Sequence, residues 1–193
     1  MTSTAQQRLL HLSLQLQQSA LPVAQAYNAR QEALGLEQVM TAERLSSLDG
    51  IAASLATIAA LESLVEEHKD AIHAWLLAAT RQLARVLEDL PPDERETQAR
   101  QLMASLQHQL DHLQRGLQAR AAWIVAARTI FVLARRGREQ APHAPGPVFA
   151  SEEDLLEAQR QGERLDAAAA VQHRLLEESL ERIRAGMAHM RPH

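Results

Sequence analysis

Residues 102–137 read LMASLQHQLDHLQRGLQARAAWIVAARTIFVLARRG. Leu102, Leu106, Leu110, Leu113, Leu117, Ile124 and Phe131 recur at steps of three, four or seven. Residues at those separations share one face of an α-helix. Pro91-Pro92 precedes the stretch and Gly137 opens a segment to Ala150 with three Pro and two Gly. The spacing therefore predicts one long helix over 93–137, ended by a loop over 137–150.

Three further segments show the same pattern. In 4–34, Leu9, Leu12, Leu16, Ala20, Val23 and Tyr27 step by three or four, with Pro22 inside as an expected kink or break. In 41–90 the stripe is Leu48, Leu55, Ile58, Val65, Ile72, Ala79 and Val86. In 152–187 it is Leu155, Ala158, Gly162, Leu165, Ala169, Leu176, Leu180, Ile183 and Met187. Gly35 is placed as a helix stop. Ser151 followed by Glu152, Glu153 and Asp154 reads as a capped helix start with acids at the positive end.

Composition agrees. The chain has 193 residues and net charge −4, with 3% aromatics and no Cys. Ala and Leu dominate, and the scarcity of β-branched and aromatic residues argues against a sheet. Absence of Cys excludes a disulfide framework, a Cys-based zinc site and a thiol nucleophile. Lys69 is the one lysine among 20 basic residues, a bias that fits a GC-rich, bacterial coding sequence.

The expected fold is all-α: an elongated antiparallel bundle of about four long helices with coiled-coil character. A 50-residue helix would be ~75 Å long and cannot bury its stripe alone. The Pro91-Pro92 corner makes the second and third helices a hairpin, and the 137–150 loop returns the fourth beside the third. The chain reads as one domain over 1–193, with 1–40 as a semi-independent N-terminal helix. The small residues of 167–170 are expected to let helices approach closely.

Four histidines are candidate metal ligands. His108 and His112 are four apart on one helix, as metal-binding pairs are. Folding the hairpin at Pro91-Pro92 brings His68 and His73 to the same height, with Glu67, Asp70 and Asp111 nearby. The alternative, on the helical wheel, is that His108 and His112 lie off the leucine stripe, while His68 lies on the stripe of its own helix. Solvated or packed histidines then result. No cofactor is implied.

From His112 to Arg138 there are six Arg and no acid. Nucleic-acid or lipid-headgroup contact is one reading. The favoured one is internal charge matching. Arg128 and Arg135 are placed toward the core, where a buried Arg needs a carboxylate. An antiparallel return puts Glu163 beside Arg128. Arg128, Glu163, Arg135 and Trp123 are thus expected as structural or interaction residues.

No Gly-rich phosphate loop, Gly-x-Ser-x-Gly or His-Glu-x-x-His occurs. The expectation is a non-enzymatic scaffold or adaptor acting through protein partners or self-association, such as a component of a bacterial secretion or other assembly. Two alternatives stand beside it: an exported, membrane-active, pore-forming-like helical protein, and a metal- or pH-responsive bundle. No window carries ~18 uninterrupted apolar residues. Cytoplasmic residence follows as the default, and nucleic acid is not expected as a partner. The acid-free first 31 residues read either as an export address used without a cleaved signal or as a Gln-rich core helix.

Overall fold

The computed structural model describes residues 4–189. Its elements are α1 (Thr4–Ala33), a single 3₁₀ turn (Leu36–Gln38), α2 (Ala42–Leu45), α3 (Leu48–Glu88), α4 (Pro92–Gln140) and α5 (Glu152–His189). No strand occurs among the described residues. The chain is all-α, with four long helices packed antiparallel, as the periodicity requires.

Local chemistry sets the boundaries. Gly35 ends α1 at φ 58°, a left-handed conformation that glycine adopts without a Cβ clash. Thr41 caps only the four-residue α2. The expected 41–90 helix is interrupted at Ser46-Ser47, where the Ser46 hydroxyl donates to Ala42 O and the Ser47 hydroxyl accepts from Gly50 N. Such hydroxyls compete with the helical ladder. Arg95 closes the proline corner by donating to Glu88 O and Leu90 O, both at 2.9 Å. Ser151 accepts from Asp154 N at 3.1 Å, the expected cap of α5. Helix α1 runs through Pro22 without a break.

The chain forms two compact units. The first comprises residues up to Gly35 with Ser63–Leu110. In it α1 lies antiparallel to α3. Trp75 Nε1 donates to Ser19 Oγ at 2.9 Å, Tyr27 stacks on His68, and Arg30 pairs with Glu67. These contacts fall on both sides of Pro22 and hold the helix across the missing hydrogen bond. Leu12, Leu64, Val65, Ala79 and Leu83 are buried here; the Leu9 side chain lies outside the described residues.

The second unit comprises Leu36–Glu62 with residues from Asp111 onward. Ile51, Ile58, Leu61, Ile124, Ala127, Phe131 and Ala134 form its core. Buried Ser54 spends its hydroxyl on Val39 O at 3.0 Å. Helix α4 continues past Gly137 to Gln140. Gly137 is therefore no stop: a Cβ there would collide with the backbone of Val148 and lie 2.6 Å from Phe149 Cα. It is the notch through which the returning chain crosses the helix.

The expected stripe of α5 mixes two faces. The buried residues are Ala158, Gln161, Leu165, Ala168 and Leu175, whereas Leu155, Leu176 and Leu180 are 41%, 58% and 43% exposed. Leu48 is also exposed, because α3 begins there. Ile183 and Met187 side chains lie outside the described residues.

Candidate functional site

The four histidines do not converge. His68 is half-buried on α3, its ring 4.1 Å from that of Tyr27 at an interplanar angle of 19°. Burial pushes its pKa below the ordinary imidazole value. His73 and His108 are exposed. His112, placed off the leucine stripe of α4, faces α5 instead, since α4 is covered on two sides. Among the described residues no group of three or more His, Asp or Glu is disposed to hold a metal ion.

His112 belongs to a constellation that the sequence reading missed. Its Nε2 lies 3.1 Å from Ser179 Oγ and its Nδ1 lies 3.5 Å from Glu178 Oε2. Arg115 donates to the same carboxylate oxygen at 3.0 Å, and that bond holds the Glu178 carboxyl below its usual range. Hydroxyl, imidazole and carboxylate in this order can activate a nucleophile. Two features oppose that use. The Ser179 hydroxyl donates to Leu175 O at 2.9 Å. Residues 178–180 are inside α5, where each N–H is committed to the ladder, so no backbone oxyanion hole faces Ser179.

The arginine expectations need correction. Arg128 pairs with Glu62 on α3, through Nη1–Oε1 at 3.2 Å and Nη2–Oε2 at 2.5 Å, and not with Glu163. Gly116 faces Leu175 and Arg136 meets Asp154, so α4 and α5 residues at one level have numbers summing to about 290. Glu163 is thus at the height of Arg128, as expected. It is exposed, however, two positions and ~200° around α5 from the buried Leu165. Arg135 is exposed rather than turned to the core and lies 3.9 Å from Glu139 one turn on. Buried positions 124, 126, 127, 130, 131, 133, 134 and 138 leave 128 and 135 at the edge. Trp123 is half-buried on α4.

The buried arginine is Arg138, at 4% exposure. It donates to the carbonyls of Ala141, Pro142, Ala144 and Gly146 and so ties the loop to the end of α4. In the sequence it is one of the six arginines of 112–138, with nothing to mark it as buried.

A concave surface remains. Between α4 and α5 of the second unit lies an open groove of about 770 Å³. Its walls are small or apolar: Ala119, Ala121, Ala122 and Val125 from α4, and Ala167, Ala168 and Val171 from α5. Arg115 and Arg164 border it. Ala168 is buried against α4, but Ala167 is exposed, and with no large side chain above them the alanines leave the space unfilled. Gln161 also lines the groove, is 4% exposed, and has no hydrogen-bond partner for Oε1. Its Nε2 donates to Glu157 Oε1 at 2.5 Å. The alanine run of 167–170 was the sequence signal for this groove, read there as close helix approach.

Two helices, α3 and the Glu94–Gln140 stretch of α4, each contain an 18-residue window of mean hydropathy 1.5 and 1.4 respectively. A third of the first window and 44% of the second are buried within the fold. Isolated polar residues, such as Arg128 and Thr129 in α4 and Glu62-Ser63 in α3, divide both into shorter apolar runs.

Comparison with protein-family models, with curated proteins and with solved structures finds no match to this chain.

Proposed function

We propose that this protein is a non-enzymatic helical adaptor that binds a helix of another polypeptide in the α4–α5 groove. The observation that carries this is the groove itself: open, three turns long, walled by alanine and valine, with arginines at its border. Amphipathic helices bind in grooves of this kind, with apolar residues at i, i+3, i+4 and i+7 as anchors.

Filling the groove tests the reading. Ala121 and Ala122 are exposed, so Ala122→Trp adds bulk to the groove and not to the core. The variant should keep its helical circular dichroism and melting temperature. Capture of a discrete polypeptide partner should fall at least tenfold, a loss of ~1.4 kcal/mol. Undiminished capture would contradict the assignment.

A second reading has one observation in its favour. The apolar windows of α3 and α4 suit a hairpin containing 119–136 that opens onto lipid. Flotation with anionic vesicles across a range of pH separates the two: co-flotation with the groove-filled variant supports lipid contact, and no flotation counts against it.

A further inference from the structure

We propose that the groove's occupant is a second copy of this chain, presenting the opposite flank of its own α5. This rests on the adaptor reading and names the helix that docks.

The flank is visible in the α5 residues that the core does not use. Asp166, Ala169, His173, Leu176 and Leu180 step by three and four, and all are exposed. Leu176 and Leu180 are 58% and 43% exposed. Exposed Glu177 and Glu181 border them. Along this stripe Asp166 and Glu177 stand on either side of Ala169, His173 and Leu176, Leu180 lies beyond Glu177, and His173 Nδ1 is 3.5 Å from Glu177 Oε1.

The groove has the complementary pattern. Arg115 stands at the level of residues 175–176, because its neighbour Gly116 faces Leu175. Arg164 stands eleven residues away along α5, ~16 Å at 1.5 Å per residue. Asp166 and Glu177 of the flank are also eleven residues apart. Two cations bordering an alanine-valine trough therefore match, in sign and spacing, two acids that enclose Ala169, His173 and Leu176. Arg115 already donates to Glu178, but a guanidinium has five N–H donors.

The two surfaces lie on opposite sides of one helix. Groove residues Arg164 and Ala167 each precede a core residue, Leu165 and Ala168, by one position. Flank residues Asp166, Ala169 and Leu176 each follow a core residue by one. At ~100° per residue the two sides are ~160° apart. One copy cannot turn both toward the same neighbour, so the contact is head-to-tail and propagates instead of closing as a two-fold dimer.

Sedimentation of the full chain from about 1 to about 100 μM, the range of a modest interface, tests this. The average mass should rise with concentration beyond that of a dimer. Leu176→Glu/Leu180→Glu removes the ridge, and Val125→Glu blocks the trough. All three sites are exposed, and each variant should be monomeric with unchanged circular dichroism. Mixed in equal amounts, the two variants should form a dimer that stops at two, since each contributes its intact surface. The milder Arg164→Glu should weaken association about tenfold. A wild-type chain that stays monomeric, a ridge variant that associates normally, or a mixture that remains monomeric would overturn the proposal. A monomeric chain whose Ala122→Trp variant loses capture of a different polypeptide would overturn this occupant and leave the adaptor reading intact.

Discussion

Arg128 binds Glu62 through its two terminal guanidinium nitrogens, Nη1 at 3.2 Å and Nη2 at 2.5 Å, joining α4 to α3 at the edge of the second unit's core. The geometry is that of a two-point fork on a carboxylate. The side chains are 40% and 47% exposed, so water screens them.

A double-mutant cycle on Arg128→Ala and Glu62→Gln should give a coupling of about 1 kcal/mol or less, weakened by salt. The Arg128 hydrogen bond lowers the Glu62 pKa. A carboxylate with a lowered folded value contributes stability above its unfolded value, near ~4.5, and loses it as pH falls through the folded value. Chemical denaturation should therefore show the coupling at pH 7 and its progressive loss as pH falls below the ordinary glutamate value.

The 141–151 return should be sensitive to its two anchors. Gly137→Ala places a Cβ against Val148 and Phe149 backbone that cannot swing aside. It should destabilise by about 2–3 kcal/mol, read as a lower denaturation midpoint. Arg138→Ala leaves four loop carbonyls without their donor. Limited proteolysis should then cut within 141–147 before the helices, and Arg138→Lys should restore only part of the protection.

His68 predicts an acid-side loss in the first unit. Its folded pKa is below that of the unfolded chain because burial disfavours the imidazolium. The unfolded state then binds more protons as pH drops below ~6.5, and stability falls from there through the folded value. Denaturation followed by Trp75 fluorescence should show this slope in the wild type. His68→Phe, which retains the stack on Tyr27, should flatten it.

Ser179 should be chemically inert. Activated-ester hydrolysis by the full chain should match that of Ser179→Ala and His112→Ala. A rate that either substitution abolishes would restore a nucleophilic role to the His112–Ser179–Glu178 arrangement.

The fold was legible because its information is local. Periodicity at 102–131, the Ser151 cap and the Pro91-Pro92 corner each report one helix or one turn, and each is in place. What escaped depends on which side of a helix meets which neighbour. Arg128 took Glu62 over Glu163 because height along a bundle can be counted from the chain, while rotation about each axis cannot. Gly137 reads as a helix stop in any sequence, and only the crossing chain at Phe149 makes it a notch. The α5 leucines read as core because apolar spacing does not distinguish a buried face from an exposed one. The groove was hinted at by the alanines of 167–170, whose small size allows either close approach or an unfilled trough.

The central claim is that the α4–α5 groove is a docking surface for a polypeptide helix. A photo-reactive benzophenone side chain in place of Ala122, irradiated in cells that express the chain, tests it most directly. The same group in place of Ala52, exposed on α3 away from both the groove and the outer flank of α5, is the control. The account predicts a discrete polypeptide adduct at position 122 and none at 52. No adduct at 122, or equal labelling at both positions, would contradict it.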